Sequence, residues 1–328
     1  MPRSLLFLVL PGLVFCLLSG SSIFAEEESL EKKAARIHDA VLTIDTHVDT
    51  PMRMIPPGFD IGKRHDPRKR GGKLDLPRMK EGGLDAVFFA VFIGQGPRSP
   101  EGNGKAKEQA LKTFDAIHKA VKENAGLAEL ALAPDDAARI EKKGKRAIYI
   151  GIENGYPVGG HLSLIQRYYD LGARYITLCH TKNNDICDSS TDEPEHNGVS
   201  LFGKKVVAEM NRLGMLIDIS HISDKAVRDV LKLSKAPVIA SHSCARALCD
   251  NPRNLSDKLL RAVAKNGGVI QMCILSAYVK KPEPNPGRDA AVKALRKKYR
   301  NFTDLSEKEQ ARAREEWDAL QEIGRAHV

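Results

Sequence analysis

Aromatic side chains make up only 5% of these 328 residues, with a single tryptophan. So few rings offer no stacking platform for single-stranded nucleic acid, and the formal charge of +9 is therefore not read as a nucleic-acid signal. No stretch reaches the roughly twenty apolar residues of a bilayer-spanning helix, since the longest run, residues 5–18, has about fourteen. The chain has no CxxC pair, which argues against a cysteine-based zinc site. It has no GxSxG nucleophile elbow. Its glycine-rich stretch 155–160 (GYPVGG) carries neither Walker nor dinucleotide-binding spacing. Internal repeats are absent, and a composition of 42% hydrophobic and 28% charged residues excludes collagen-like, coiled-coil and wholly disordered chains.

The positive charge is concentrated in residues 63–73 (KRHDPRKRGGK) and in 293–314, where both signs alternate along a helix-like run. Runs of this kind face water. At the N-terminus, Arg3 precedes the apolar run, and small polar residues lead to Ala25 just before an acidic stretch. This pattern predicts a secretory signal, residues 1–25, cleaved after Ala25. The expectation is an exported protein, periplasmic or extracellular, with no stable transmembrane span after cleavage. Phe15 before Cys16 fits lipoprotein processing poorly. Cleavage leaves Cys179, Cys187, Cys244, Cys249 and Cys273, an odd number that forms no dense disulfide framework and whose pairing the spacing does not assign.

Short β-branched or apolar runs recur at 41–45, 86–92, 147–152, 175–178, 216–219, 238–240 and 269–274. Continuous apolar strands suit a parallel sheet covered on both faces. Helical patterns lie between them at 105–124, 162–171, 201–213, 224–233 and 256–265, with Gly172, Gly214 and Gly267 as stops and Ser223 and Ser256 as N-caps. Stretches 94–104 and 183–197 read as loops. Strand alternating with helix gives an α/β chain of βαβ units, with seven candidate strands, one short of a closed (β/α)8 barrel. Residues 26–328 read as one domain.

The chemistry-bearing residues gather at strand C-terminal ends: Asp45-Thr46-His47-Val48-Asp49 after the first strand, Glu153 after the third, His180 after the fourth, His221 after the fifth and His242 after the sixth. In a (β/α)8 barrel these ends converge on one mouth, where active sites are built. His47 and Asp49, two apart, project to one side of an extended strand. Imidazole nitrogens with two carboxylates can hold two divalent ions if one carboxylate bridges them, and Glu153, flanked by Gly151 and Gly155, is the natural bridge. The remaining histidines, His38, His65, His118, His161, His196 and His327, are expected on the surface. Ser220-His221 and Ser241-His242 place hydroxyls beside imidazoles, but neighbours on a strand point to opposite faces.

Five stretches carry a resemblance: 44–50 (IDTHVDT), 151–155 (GIENG), 177–184 (TLCHTKNN), 198–223 (GVSLFGKKVVAEMNRLGMLIDISHIS) and 240–254 (ASHSCARALCDNPRN). Over about residues 38–275 the sequence resembles the membrane (renal-type) dipeptidases, family M19 of the metallopeptidases. The resemblance implies a metal-dependent-hydrolase TIM barrel with two zinc ions (Zn2+), one bound by His47 and Asp49, the other by His221 and His242, with Glu153 bridging. It implies that His180 contacts the substrate near the scissile carbonyl, that Arg253 binds the terminal carboxylate, and that a metal-bridging hydroxide attacks a dipeptide, including dipeptides with a C-terminal D-residue. It also suggests a homodimer.

The sequence departs from the family at its end. An Asp-Phe-Asp-Gly-like motif that closes the eighth strand is missing, and residues 323–328 (IGRAHV) look like translated adapter DNA. The expectation is a barrel that lacks its eighth strand, with the chain cut short. The rival readings are another binuclear amidohydrolase-type enzyme and an inactive metal-binding relic.

Overall fold

The computed structural model describes residues 28–67, 72–281, 284–300 and 305–325. The expected signal, residues 1–25, and the end of the terminal hexapeptide with His327 lie outside the described residues. Residues up to Val41 form a unit of their own. Its helix, Leu30–Ala40, starts where the Ser29 hydroxyl accepts the Lys32 N–H, and it buries no side chain. No helix among the described residues is long and apolar enough to cross a membrane.

The second unit, Leu42–Val328, is built on eight parallel strands: β1 (Ile44–Val48), β2 (Ala86–Phe92), β3 (Ala128–Leu130), β4 (Arg146–Glu153), β5 (Ala173–Thr177), β6 (Leu216–Asp218), β7 (Ile239–Ser243) and β8 (Val269–Met272). Their order is β1-β2-β4-β5-β6-β7-β8, with β3 beside β4. Because β2 pairs with β4 from Ala147 to Glu153, β3 and β5 share the other edge, β3 along Arg146–Ile148 and β5 from Ile150 onward. β1 and β8 are not paired with each other among the described residues. The wall nearly closes all the same, since the Thr46 hydroxyl on β1 donates to the Ser241 carbonyl on β7 at 2.6 Å. The seven-strand wall of a TIM-barrel-like α/β fold is therefore observed.

Strand β4 is buried along its whole length, which explains why its sequence shows no polar alternation. Its even positions, Ile148, Ile150 and Ile152, join the large core with Phe114, Ile165, Val206 and Val227 from the surrounding helices. Its odd positions Ala147 and Tyr149 belong to a second cluster with Phe88 and Tyr175. By the two-residue period of a strand, Gly151 and Glu153 continue that second row.

Several boundaries differ from the sequence reading. β1 runs from Ile44 to Val48 and β7 to Ser243, so His47 and His242 lie inside strands rather than after them. β3, three residues long, is too short to show a period. The helix expected at 105–124 begins at Pro100, inside the expected loop 94–104. Ser99 caps it through the Gly102 N–H, and Pro100 suits its first turn, where an N–H has no partner. Gly214 and Gly267 are left-handed helix stops as expected, whereas the helix Ser163–Asp170 caps on Leu171, one residue before Gly172. Ser256 sits at its N-cap position without a side-chain cap bond.

Candidate metal centre

Glu153 ends β4 with its side chain 5% exposed. Its Oε2 faces His47 Nε2 at 3.4 Å. Its Oε1 faces His221 Nε2 at 3.0 Å, His242 Nε2 at 3.3 Å and His180 Nε2 at 3.6 Å. Four imidazoles from β1, β7 and the segments after β5 and β6 thus surround one buried carboxylate, although up to 195 positions separate them. His47 and His242 stack with centroids 3.9 Å apart, and His180 and His221 lie at 4.2 Å. Ligand atoms of His47, Glu153 and His242 fall within 4.8 Å of one another, as do those of Glu153, His180 and His221.

Backbone strain supports the placement. Asn154 and His221 have φ of 79° and 71°, a region that non-glycine residues occupy at a cost and that clusters at functional sites. Asn154 is fully buried, and its amide binds the Ile93 carbonyl at 2.9 Å while its carbonyl accepts from Asn184 at 2.9 Å. The segments that follow β2, β4 and β5 are tied together there. The polar loop 183–197 is held by Asp188, whose oxygens accept the N–H groups of Glu195, His196 and Gly198 at 2.8–3.0 Å.

Burial raises the Glu153 carboxyl, but the imidazoles of His47, His221 and His242 outweigh it and hold it well below the usual carboxylate range. Burial holds His221 well below the usual histidine value and lowers His242 as well. At His47 burial also opposes charge, yet the Tyr175 and Glu153 oxygens win and raise it well above that value. His180 is lowered by burial, which with the Arg253 cation outweighs the Glu153 carboxylate that raises it. His221 and His242 present Nε2 atoms only 2.9 Å apart. Electron-rich atoms converging this closely on a buried anion are what a divalent cation relieves, and imidazole with carboxylate suits a borderline ion such as zinc. The residues fit the group.

Asp49 follows the last residue of β1, its side chain 59% exposed, with Oδ1 3.6 Å from His47 Nε2. It stands at the rim, outside both clusters above. Arg253 is buried. Its Nη2 donates to the His242 carbonyl at 3.2 Å, it lies over the Tyr278 ring, and its Nε has no partner. Among the other histidines, His65, His118 and His196 are half-buried rather than exposed, because each ring nitrogen meets a backbone carbonyl, of Asp60, Leu171 and Asn184, at 2.7–2.9 Å. Cys179, Cys187, Cys244, Cys249 and Cys273 are free thiols.

Tyr175 is no metal-type residue and Asp218 was not singled out in the sequence, while Ser241, set aside because strand neighbours point to opposite faces, brings its hydroxyl to His242 Nδ1 at 2.8 Å. Tyr175 lies fully buried on β5. Its hydroxyl meets His47 Nδ1 at 3.0 Å and donates to the Thr46 carbonyl at 3.1 Å. Gly151 makes room for it, since a Cβ there would stand 2.0 Å from the tyrosine ring. Asp218, an acid at a strand C-terminal end like Glu153, bears the same signal and could have been found by it.

The chain has relatives among known proteins. The chain is 36% identical over 223 residues to Dipeptidase tcpJ of Claviceps purpurea (strain 20.1), a match that covers 66% of this chain and 52% of that protein. It is 38% identical over 208 residues to human Dipeptidase 3, covering 62% and 41%. The chain thus spans about half the length of the curated relatives it matches. The crystal structure of the probable dipeptidase PvdM from Pseudomonas aeruginosa superposes with a TM-score of 0.73 at 29% identity, covering 89% of this chain and 78% of that one. The family described as membrane dipeptidase (peptidase family M19) matches residues 31–326, so the buried carboxylate ringed by imidazoles sits within a chain that belongs to this family of metal-dependent dipeptidases.

Proposed function

We propose that this protein is a zinc-dependent dipeptidase whose two ions are bridged by Glu153, with His47 and Asp49 on one side and His221 and His242 on the other. The observation that carries the reading is the division of the Glu153 oxygens, Oε2 toward His47 and Oε1 toward His221 and His242. Two divalent ions held there supply an activated water at neutral pH and polarise a carbonyl. The protein's own groups do the rest. Glu153 stays ionised and anchors the histidines. His180, whose ring packs T-shaped against Phe92, donates its N–H to the oxygen that gains charge at the scissile carbonyl. Arg253, with a buried Nε that lacks a partner, grips the C-terminal carboxylate of the dipeptide; a guanidinium matches that group in shape as well as charge. A C-terminal D-residue is accepted on the same grip.

Residues 1–25 direct export, and the protein works as a homodimer; peptide mapping of the mature N-terminus and light scattering read these two points. The deciding experiment strips metal with a chelator and follows hydrolysis of L,L- and L,D-dipeptides. Activity falls to background and returns with two equivalents of zinc. Full turnover in the stripped protein refutes the proposal.

A further inference from the structure

Asp218, the last residue of β6, is fully buried. Its Oδ1 accepts the backbone N–H groups of Ser220 and Ser241, both at 2.9 Å. Its Oδ2 accepts the hydroxyls of Thr177 at 2.5 Å and Ser241 at 2.6 Å. All four partners are uncharged. The Ser241 hydroxyl donates to Asp218, and a hydroxyl has one proton to give. The Ser241 proton therefore goes to Asp218, and at 2.8 Å from His242 Nδ1 the same hydroxyl must accept. The His242 proton is thereby placed on Nδ1 and its lone pair on Nε2, the nitrogen that points at Glu153. The backbone locks this geometry, because the His242 N–H donates to Ser220 Oγ at 3.1 Å.

We propose that Asp218 is a positioning residue. Through Ser241 it fixes the tautomer of His242, keeps Nε2 available as a ligand, and sets the strength of metal binding on that side of the centre. Outer carboxylates commonly orient and strengthen a metal-binding imidazole in this way. His47 has a parallel but uncharged support, since Tyr175 gives its proton to the Thr46 carbonyl and accepts from His47 Nδ1. The two sides of the centre differ in what stands behind their histidines, a carboxyl group reached through Ser241 on one side and a tyrosine hydroxyl on the other, and the inference rests on the ligand reading proposed above.

The test uses the full chain, stripped of metal and titrated with zinc against a chromophoric chelator. In parallel, long-range 1H–15N spectra of the histidine-labelled, metal-free protein report which ring nitrogen carries the proton. Asp218→Asn lets an amide N–H donate to Ser241, which then donates to Nδ1 and drives the His242 proton to Nε2; an Asp-to-Asn change behind a catalytic histidine acts by the same tautomer reversal. Asp218→Asn and Ser241→Ala lower the affinity for one of the two ions about 10–100-fold, and Ser241→Thr, which keeps the hydroxyl, restores it. Thr177→Val removes a hydroxyl from the same carboxylate without touching the path to His242, and leaves zinc affinity near that of the parent.

Equal losses in Thr177→Val and Ser241→Ala, or unchanged affinity and tautomer in a folded Asp218→Asn protein, overturn the proposal. If Asp218→Asn fails to fold, the Ser241→Ala and Ser241→Thr pair decides. A parent chain that takes up no zinc overturns the ligand reading instead, while the tautomer in the metal-free protein still reports whether Asp218 governs His242.

Discussion

Gly151→Ala is a sensitive probe of how the barrel builds its metal centre. The new methyl would stand 2.0–2.4 Å from three carbons of the Tyr175 ring, far inside the roughly 3.5–4.0 Å at which carbon atoms pack. Neither partner yields easily. Gly151 is paired to Ala90 on one side and to Tyr175 on the other, and the tyrosine ring is fully buried against Phe88 at 5.1 Å between centroids. Overpacking costs about 1–3 kcal/mol, and a clash with a confined ring belongs near 3. Alanine recovers about 0.5–1 kcal/mol by restricting the unfolded chain. The net loss is about 2 kcal/mol, a fall in Tm of roughly 4–8 °C at 2–4 °C per kcal/mol. Urea and thermal unfolding measure it. A second readout is specific to the site, because a displaced Tyr175 hydroxyl releases His47 Nδ1 and zinc binding weakens. Pairing Gly151→Ala with Tyr175→Leu removes the colliding ring atoms, so the double variant is more stable than the sum of the two single losses. Parent-like stability and zinc binding in Gly151→Ala would refute the packing argument.

Other expectations follow from the same geometry. On the proposed ligand set, with two zinc ions in the parent, His242→Ala should abolish dipeptide turnover and leave about one zinc per chain, as elemental analysis of the dialysed protein would show; retained turnover with two ions bound contradicts the ligand assignment. Arg253→Met loses a charged hydrogen bond worth about 1.5–3 kcal/mol, which lowers kcat/KM for dipeptides by about 10–150-fold yet hardly changes it for C-terminally amidated analogues; an equal loss on both would count against carboxylate recognition. At Asp75 and Asp188 burial raises the carboxyl, but backbone N–H donors outweigh it, with the Arg78 guanidinium adding at Asp75, and both are held below the usual range. A depressed carboxylate stabilises the fold above its unfolded value of about 3.9 and loses that contribution as pH falls through the lower folded value. Urea midpoints should therefore drop steeply below about pH 4, and Asp188→Asn should flatten that drop; an unchanged slope would remove Asp188 from the explanation.

Strand order and site membership were legible in the sequence for one reason: buried parallel strands are continuous apolar runs, and a barrel brings their C-terminal ends to one mouth. His47, Glu153, His180, His221 and His242 could be collected from that rule without knowing a single distance, although the same rule also gathered Asp49, which stands at the rim outside both clusters. Boundaries were less legible. His47 and Ser241-His242 were placed after their strands because polar residues end an apolar run, while the backbone goes on pairing through them. The helix start at Pro100 was hidden by Gly102 and Gly104, whose low helix propensity is outweighed by the Ser99 cap and by burial of Gly102.

Local sequence, through the period of its strands and its cap residues, determined which side chains face the inner side of the wall and where the helices that end at Gly214 and Gly267 stop. Only the tertiary structure decided what those side chains do there. It divides the two oxygens of Glu153 between His47 and the pair His221–His242, fits the Tyr175 ring into the space left by Gly151, and sets Asp218 behind Ser241. These relations join residues on different strands. Their strength depends on distance, burial and the direction of a single proton, and none of these is encoded in the spacing along one strand.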